Sequence, residues 1–412
     1  MLKHKQKIKI ALVTYSMNSG GVEMFLLRLG KYFISKKIHV DIIVTEEKGA
    51  WFNKIGQNGI NSIKIPISRV WNFFPFPPLL FPFLINNYLK ANGYNVIFLN
   101  HSKYVQVLLN IFDKGEVIFS ILHNHEPSVY KIGLANRNLL NKIVAVGNKI
   151  FFEATEQSTD SKVVLIQNGV ELPQNSQVKE FKEINKLNLL YIGRLENLQK
   201  GIFLLPTIIK NCKDLKIHFE LTIAGDGKDS KELMQRFSKL NLEKNEVKFL
   251  GSIDNDELVN KLYQQSHLLL MPSNYEGLPI TALEAQAYGC VPIATFLPGI
   301  TDTCIVDKST GLLIQKGDVD GFVNAINYFY ENLDTLKIYS ENAKQWISKE
   351  YSINIMGDKY LNLILNELKA PALSRSKKIN FKEYFSLFIW KDYLPLHLKH
   401  ILKKLIAYIN SV

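Results

Sequence analysis

The chain has too little cysteine to build a disulfide framework. Cys212, Cys290 and Cys304 are odd in number and form no C-x-x-C pair. That speaks against a zinc ribbon as well, and a reducing compartment fits best. Long apolar runs are also lacking, because no uncharged stretch approaches the ~18–20 residues that span a bilayer. Acidic residues are in deficit, 38 against 50 Lys and Arg, for a formal net charge of +12. A balance of that sign points to an anionic partner: nucleic acid, a membrane surface or phosphorylated substrates. There is no internal repeat. The chain is 47% hydrophobic and 21% charged, which removes the disordered, collagen-like and repeat classes. Its 412 residues predict two or three domains, at roughly 100–200 residues each.

The start, Met1–Ser16, has the charged beginning of a signal peptide. Its apolar run, Ile8–Val13, is short and soon followed by Asn18, Ser19 and a glycine pair. It reads as a first β-strand, so a soluble or peripheral, intracellular protein is expected.

What is present is an alternation of short β-branched runs with longer helical patterns. The strand candidates of the first half are Ile8–Tyr15, Val40–Thr45, Ser62–Ile67, Val96–Asn100, Val117–Leu122, Ile143–Val146 and Val163–Gln167. Amphipathic stretches such as Glu23–Ile34 and Tyr104–Phe112 lie between them. Polar Glu171–Lys186, with Pro173, reads as a linker. The alternation then restarts with Leu189–Ile192, Phe219–Ala224, Val247–Leu250, Leu268–Met271 and Val291–Ala294. Apolar runs of this length between helices predict parallel sheet covered on both faces. The expected fold is α/β: two Rossmann-like, doubly wound parallel-sheet domains facing across a cleft, with a basic helical tail. The expected division is 1–170, an acceptor domain; 171–186, the linker; 187–350, a donor domain; 351–368, a helix returning to the first domain; and 369–412, the tail. Ligands in such folds bind beyond the carboxyl ends of the strands.

Four motifs bear on chemistry. In Tyr191–Gly201 a strand ends at Gly193, and Arg194 and Lys200 follow before a helix. Two cations there suit a phosphate; the alternative is two solvated loop cations. Leu221–Gly227 ends in Gly-Asp-Gly, a tight turn at a sheet edge. In Ser273–Glu284, Glu276 is followed by Gly277, Leu278 and Pro279, and a helix then carries Glu284. A helix start presents unpaired N–H groups and a positive dipole end, an anion site. Glu284 can reach back toward that mouth and accept hydrogen bonds from a vicinal diol. Gly20-Gly21-Val22-Glu23 follows the first strand, where paired glycines let the backbone approach a ligand. It is neither G-x-G-x-x-G nor a Walker A. Asp254-Asn-Asp256 is formally D-x-D, but it opens the helical pattern Glu257–Ser266 and reads as an N-cap, so no metal is predicted.

In order, G-G-x-E, Val164–Val170 (V-L-I-Q-N-G-V), G-R-L with K-G, G-D-G, and E-G-L-P with E-A and G resemble the retaining family-4 glycosyltransferases, from about residue 8 to 368. That resemblance implies the two-domain GT-B fold and a nucleotide-diphosphate sugar as co-substrate, with UDP favoured over GDP. It implies that Arg194 and Lys200 hold the donor diphosphate and stabilise the leaving nucleotide, without a metal. Glu276 would contact the donor sugar, with the Gly277–Leu278 backbone beside it. Glu284 would hold the ribose hydroxyls, and Gly20 and Gly21 would approach the sugar and phosphate. The family often carries a histidine where His123 ends the Val117–Leu122 strand; His125, two residues on, is the other candidate. The chain departs from the family pattern in a loop one residue longer between Arg194 and Lys200, and in Ile300 and Asp302 after Pro298-Gly299. The resemblance also implies retention of configuration by same-face attack of the acceptor, with the leaving phosphate taking its proton; the sequence shows no obvious nucleophile.

Trp71–Phe83 is rich in aromatics and proline. It is either an exposed patch for lipid or partner, or a loop leading to a core helix. The tail from Lys369 carries nine basic and two acidic residues. Leu394, Leu398, Ile401, Leu402, Leu405 and Ile409 recur at helical spacing, after Phe381, Tyr384, Phe385, Phe388, Trp390 and Tyr393. That pattern suits a helix lying on an anionic membrane; a helix packed on the body or a disordered tail are the alternatives. With the tail, the resemblance implies transfer of a hexose or N-acetylhexosamine to a membrane-associated glycan or polyprenyl-linked acceptor at the cytoplasmic face, and by the family's habit a place in bacterial surface polysaccharide synthesis, such as capsule or lipopolysaccharide. The competing readings are a nucleotide-sugar 2-epimerase-like isomerase and a non-catalytic GT-B scaffold. A nucleic-acid partner is not expected, because the charge gathers in the tail and no nucleic-acid motif is present.

Overall fold

The structure is a computed structural model that describes residues 7–18, 20–49, 51–56, 59–65, 77–113, 115–124, 126–158, 161–173, 186–243, 245–253, 255–375, 378–379 and 381–388. The chain divides into two compact units, Met1–Gln167 with Met356–Val412, and Asn168–Ile355.

In the first unit seven parallel strands form one sheet: β1 (Lys9–Ser16), β2 (His39–Glu47), β3 (Asn61–Lys64), β4 (Val96–Asn100), β5 (Val117–Leu122), β6 (Lys142–Ala145) and β7 (Val163–Leu165). Their order is β3-β2-β1-β4-β5-β6-β7. β4 and β5 are buried at every position, as strands covered on both faces must be. The sheet order reverses between β1 and β4, the place where such folds open a crevice for ligands. Helix Ile353–Lys369 has its buried face in this unit, with Tyr360 against Phe25 and Phe98 at ring distances of 5.8 and 5.6 Å. A Cβ at Gly357 would stand 2.2 Å from the Tyr32 ring, so glycine is what lets this helix close on helix Gly21–Ser35.

The second unit has six parallel strands: β8 (Leu187–Ile192), β9 (Phe219–Ala224), β10 (Val247–Gly251), β11 (Leu268–Met271), β12 (Val291–Thr295) and β13 (Leu312–Ile314). Their order, β10-β9-β8-β11-β12-β13, reverses between β8 and β11. Alternate residues feed opposite cores. Leu189, Leu268 and Leu270 join Ile208, Phe322 and Ile326 on one face. Leu190, Leu269 and Met271 join Tyr263, Leu283 and Ile347 on the other. Each such fully buried side chain contributes about 1.5–3 kcal/mol relative to leaving it exposed.

Two element expectations are corrected. Tyr104–Phe112 is not one helix but a helical turn, Lys103–Gln106, and a 3-10 turn, Leu109–Ile111. The Gln106 carbonyl accepts from Asn136 Nδ2 at 3.0 Å and its amide donates to Ala135 O at 2.6 Å, so a long-range bond takes the place of the next helical turn. β13 was not expected at all. The Val164–Val170 motif closes the second unit: Val170 N–H donates to Tyr351 O at 2.8 Å, and Ile353 N–H to Val170 O at 3.1 Å.

In Trp71–Phe83, the residues from Pro77 begin helix Pro77–Ala91, with Phe81 buried and Phe83 exposed; Trp71–Phe76 lie outside the described residues. The tail is partly packed on the first unit. Arg375 is buried and donates to Leu139 O (2.9 Å), Asp113 O (2.6 Å) and Asn141 Oδ1 (2.9 Å). Tyr384, Leu387 and Phe388 are buried, with Phe388 5.7 Å from the Tyr104 ring, while Phe381 and Phe385 stay exposed. The amphipathic pattern Leu394–Ile409, with Trp390 and Tyr393, lies outside the described residues, as does the linker from 174 to 185. Among the described residues no helix is long and apolar enough to cross a membrane.

Candidate active site

In the second unit the sequence motifs gather where the sheet order reverses. β8 ends at Ile192, and Gly193 turns the chain with φ 153°. The Gly-Asp-Gly turn after β9 supports that turn from beside it. Leu195 N–H donates to Asp226 O at 3.0 Å, and Asp229 N–H donates to Leu195 O at 3.1 Å. Gly227 has no room for a side chain, since a Cβ would stand 2.4 Å from Leu195 O. The turn is therefore the seat of the Arg194 loop. Asp229 Oδ2 then accepts the Asn197 N–H at 2.6 Å, and helix Asn197–Lys200 follows. This helical turn carries Lys200 and ends at left-handed Gly201.

Arg194 is 69% exposed at its side chain, with Glu196 at 3.7 Å, so its guanidinium is open to a ligand. Glu196 sits 2.7 Å from Lys228, whose ammonium, ahead of Arg194, holds the Glu196 carboxyl below its usual range. Lys200 is placed differently. Its Nζ donates to both oxygens of Glu276, at 2.7 and 2.9 Å. Glu276 comes from the loop after β11, the neighbour of β8, and is only 5% exposed. The two loops are tied together, with Asn274 N–H donating to Gln199 O at 2.8 Å and Asn274 Nδ2 to Asn197 O and Leu198 O at 3.2 and 3.1 Å. Sequence reasoning thus named both members of an ion pair without pairing them.

Gly277 and Leu278 lead into helix Ile280–Ala287, with Pro279 one residue before it. Glu284 sits on that helix and accepts from the Tyr263 hydroxyl at 3.0 Å. Tyr263 is buried on helix Asp256–Gln265 and stacks near Tyr288 at 6.1 Å. Asn255 caps that helix by accepting from Leu258 N–H at 3.0 Å; Asp254 lies outside the described residues. Among the described residues no group of three His, Cys, Asp or Glu gathers as metal ligands would.

In the first unit Gly20 and Gly21 lead from β1 into helix Gly21–Ser35. Glu23, in its first turn, is buried, and burial raises its carboxyl despite hydrogen bonds from the Glu23 and Asn18 backbone N–H groups. A Cβ at Gly20 would stand 2.9 Å from Glu23 Oε2, while Gly21 is open. His123 lies at the end of β5. Asn100 Nδ2 donates to Val13 O at 3.1 Å, which orients the amide so that Oδ1 faces His123 Nε2 at 2.7 Å. Nε2 therefore carries the proton. The Phe25 ring stands edge-on 4.9 Å away. Burial, with nearby His101, pushes the His123 pKa down to about 3, so the ring is neutral. His101 has a left-handed backbone (φ 55°) and a pKa pushed by burial to about 4. Its buried Nε2 has no hydrogen-bond partner among the described residues. His125 lies outside them.

Sequence reasoning missed Ser273, Tyr263, Asn100 and His101. Ser273 Oγ donates to Glu276 Oε1 at 2.7 Å. Ser273 and His101 stand beside singled-out residues or a strand end, and could have been read there. Tyr263 acts from 21 residues away, on a different helix.

In the second unit Arg194, Lys200 and Glu276 thus follow β8 and β11, the strands between which the sheet order reverses. Residues 174–346 match the family described as glycosyl transferases group 1. The second unit carries that domain, and the protein is a glycosyltransferase of the GT-B fold. The solved structure of Anabaena Alr3699/HepE in complex with UDP is similar over 87% of this chain and 100% of that one, with a TM-score of 0.70 at 19% identity. An α-1,4-N-acetyl-D-galactosaminyltransferase of Campylobacter jejuni, named for a glycan on PP-undecaprenol, is 24% identical over 87% of this chain and 98% of its own. An uncharacterized 41.2 kDa protein of the cps region of Klebsiella pneumoniae is 30% identical over 47% of this chain, and the match spans about half, 51%, of that protein.

Proposed function

We propose that the protein is a retaining, family-4 type glycosyltransferase. It moves a hexose or N-acetylhexosamine from a UDP-sugar to a membrane-associated glycan or a polyprenyl-linked acceptor in surface polysaccharide synthesis. The observation that carries this reading is the meeting of Lys200 and Glu276 at the switch point of the second sheet, with Arg194 exposed nearby. As the glycosidic bond breaks, negative charge grows on the departing diphosphate. Arg194, Lys200 and the N–H groups at the start of helix Ile280–Ala287 stabilise it, so the reaction proceeds without a metal. Glu276 holds the sugar, Glu284 the ribose hydroxyls, and His123 approaches the sugar as a neutral hydrogen-bonding group. The acceptor attacks from the face the nucleotide leaves, and the leaving phosphate takes its proton. The UDP complex of the Anabaena protein supports the choice of base, and the C. jejuni enzyme supports a polyprenyl-linked acceptor. The basic tail beyond residue 388 then holds the enzyme on the anionic inner face of the membrane.

Calorimetric titration of UDP, GDP and ADP without divalent cation, into the protein and into Lys200→Ala, tests this. UDP binding that Lys200→Ala weakens is the expected result. Binding of none of the three, with or without magnesium, overturns it.

A further inference from the structure

Lys200 commits most of its hydrogen-bonding capacity to Glu276, and both Glu276 oxygens accept from it. An ammonium has three donors, and two of them go to the Glu276 oxygens. Oε1 also takes the Ser273 hydroxyl at 2.7 Å. Ser273 and Glu276 are 3% and 5% exposed. Held like this, the positive charge of Lys200 is cancelled by its neighbour and draws an arriving anion only weakly.

We propose that this pair is an exchange device that favours a nucleotide sugar over the free nucleoside diphosphate, with Ser273 as its positioning residue. The inference rests on the reading that Lys200 serves the diphosphate and Glu276 the sugar. A diphosphate claiming Lys200 leaves Glu276 as a buried charge without its counter-ion, which is strongly unfavourable. Ser273 keeps one bond to the carboxylate. The remaining donors come from the sugar hydroxyls, which a nucleotide sugar brings and a free nucleoside diphosphate does not. Once the sugar has been transferred, Glu276 loses those donors, the Lys200 pair re-forms, and the diphosphate product is released.

Inorganic pyrophosphate, a diphosphate with neither base nor sugar, probes the exchange directly. Its binding is measured by calorimetry on the full chain, on Glu276→Gln, Ser273→Ala and Lys200→Ala, and on Lys200→Ala combined with Glu276→Gln. Glu276→Gln is expected to bind about tenfold tighter, the scale of one charged hydrogen bond. Ser273→Ala is expected to bind several-fold weaker, because Glu276 then has less to hold it once Lys200 leaves. The gain from Glu276→Gln is expected to vanish in the Lys200→Ala background. A gain that persists there reflects plain repulsion between carboxylate and anion, and overturns the exchange. Opposite signs for Glu276→Gln and Ser273→Ala are something a merely structural role does not produce, and the Ser273→Ala arm stands if Glu276→Gln does not fold. Pyrophosphate binding that Glu276→Gln leaves unchanged overturns the exchange while the diphosphate site survives. No binding by any form overturns the diphosphate assignment and the exchange with it.

Discussion

Gly225 faces Gly193 so closely that a Cβ on Gly225 would stand 1.9 Å from the Gly193 carbonyl oxygen. Gly225 also holds φ at 139°, which L side chains avoid. Its turn and the start of the Arg194 loop are thus one packed unit of backbone. Gly225→Ala is expected to destabilise the second unit by about 3 kcal/mol or more, since neither contact is a flexible side chain that could move. Thermal unfolding checks this, and nucleotide affinity should fall with it. An unchanged melting temperature would mean the two loops are independent.

Tyr263 places Glu284 through one hydroxyl. Removing that hydroxyl in Tyr263→Phe keeps the buried ring and its stacking. The loss should be about 0.5–1.5 kcal/mol, from a few-fold to about tenfold in nucleotide affinity. The same variant should leave pyrophosphate binding untouched, because Glu284 is assigned to the ribose. Equal losses for both ligands would remove that assignment.

The two part-buried histidines, His101 and His123, set an acid limit on the first unit. Unfolded, both rings take up a proton near pH 6.5. Folded, His101 waits until about 4 and His123 until about 3. Between those values the unfolded state binds more protons, so stability rises with pH and falls as the solution is acidified below about 6.5. Denaturant unfolding at pH 7, 6 and 5 should show this slope, and His123→Asn should reduce it. The same shifts place no histidine step from His101 or His123 in the activity profile between pH 6 and 8. A step there that disappears in His123→Asn contradicts the neutral ring.

Arg375 fastens the tail to the first unit through two carbonyls and an amide oxygen. Arg375→Ala leaves those acceptors without their donor and is expected to destabilise the first unit by about 2–4 kcal/mol. Hydrogen exchange should quicken in residues 381–388 more than in helix Ile353–Lys369. Uniform protection throughout would show that the segment is held by its aromatic contacts alone.

Much of this architecture was legible because buried strands write themselves as short apolar runs, or as an alternation of buried and half-buried residues in Phe219–Ala224. Val96–Asn100, Val117–Leu122, Phe219–Ala224 and Leu268–Met271 have the ends the sequence suggests. β13 escaped notice because Leu312–Ile314 is three residues long and shows no period. The break after Gln106 depends on Asn136, 30 residues away, which no local pattern contains. The candidate site was legible residue by residue, since its chemistry lies in motifs. Its wiring was not. The Lys200–Glu276 pair joins positions 76 apart, and their meeting follows from β8 and β11 being neighbours in the sheet.

The central claim is that this chain transfers a sugar from UDP, with Lys200 and Glu276 in the machinery. The most direct test incubates the protein with individual UDP-sugars, with and without a polyprenyl-diphosphate-linked glycan, and follows UDP release and labelled sugar in the lipid fraction. The account predicts acceptor-dependent UDP release with label in the lipid, an anomeric configuration matching the donor, and loss of both signals in Lys200→Ala and Glu276→Gln. Transfer that survives both substitutions, or conversion of the UDP-sugar to an epimer with no acceptor present, would contradict it.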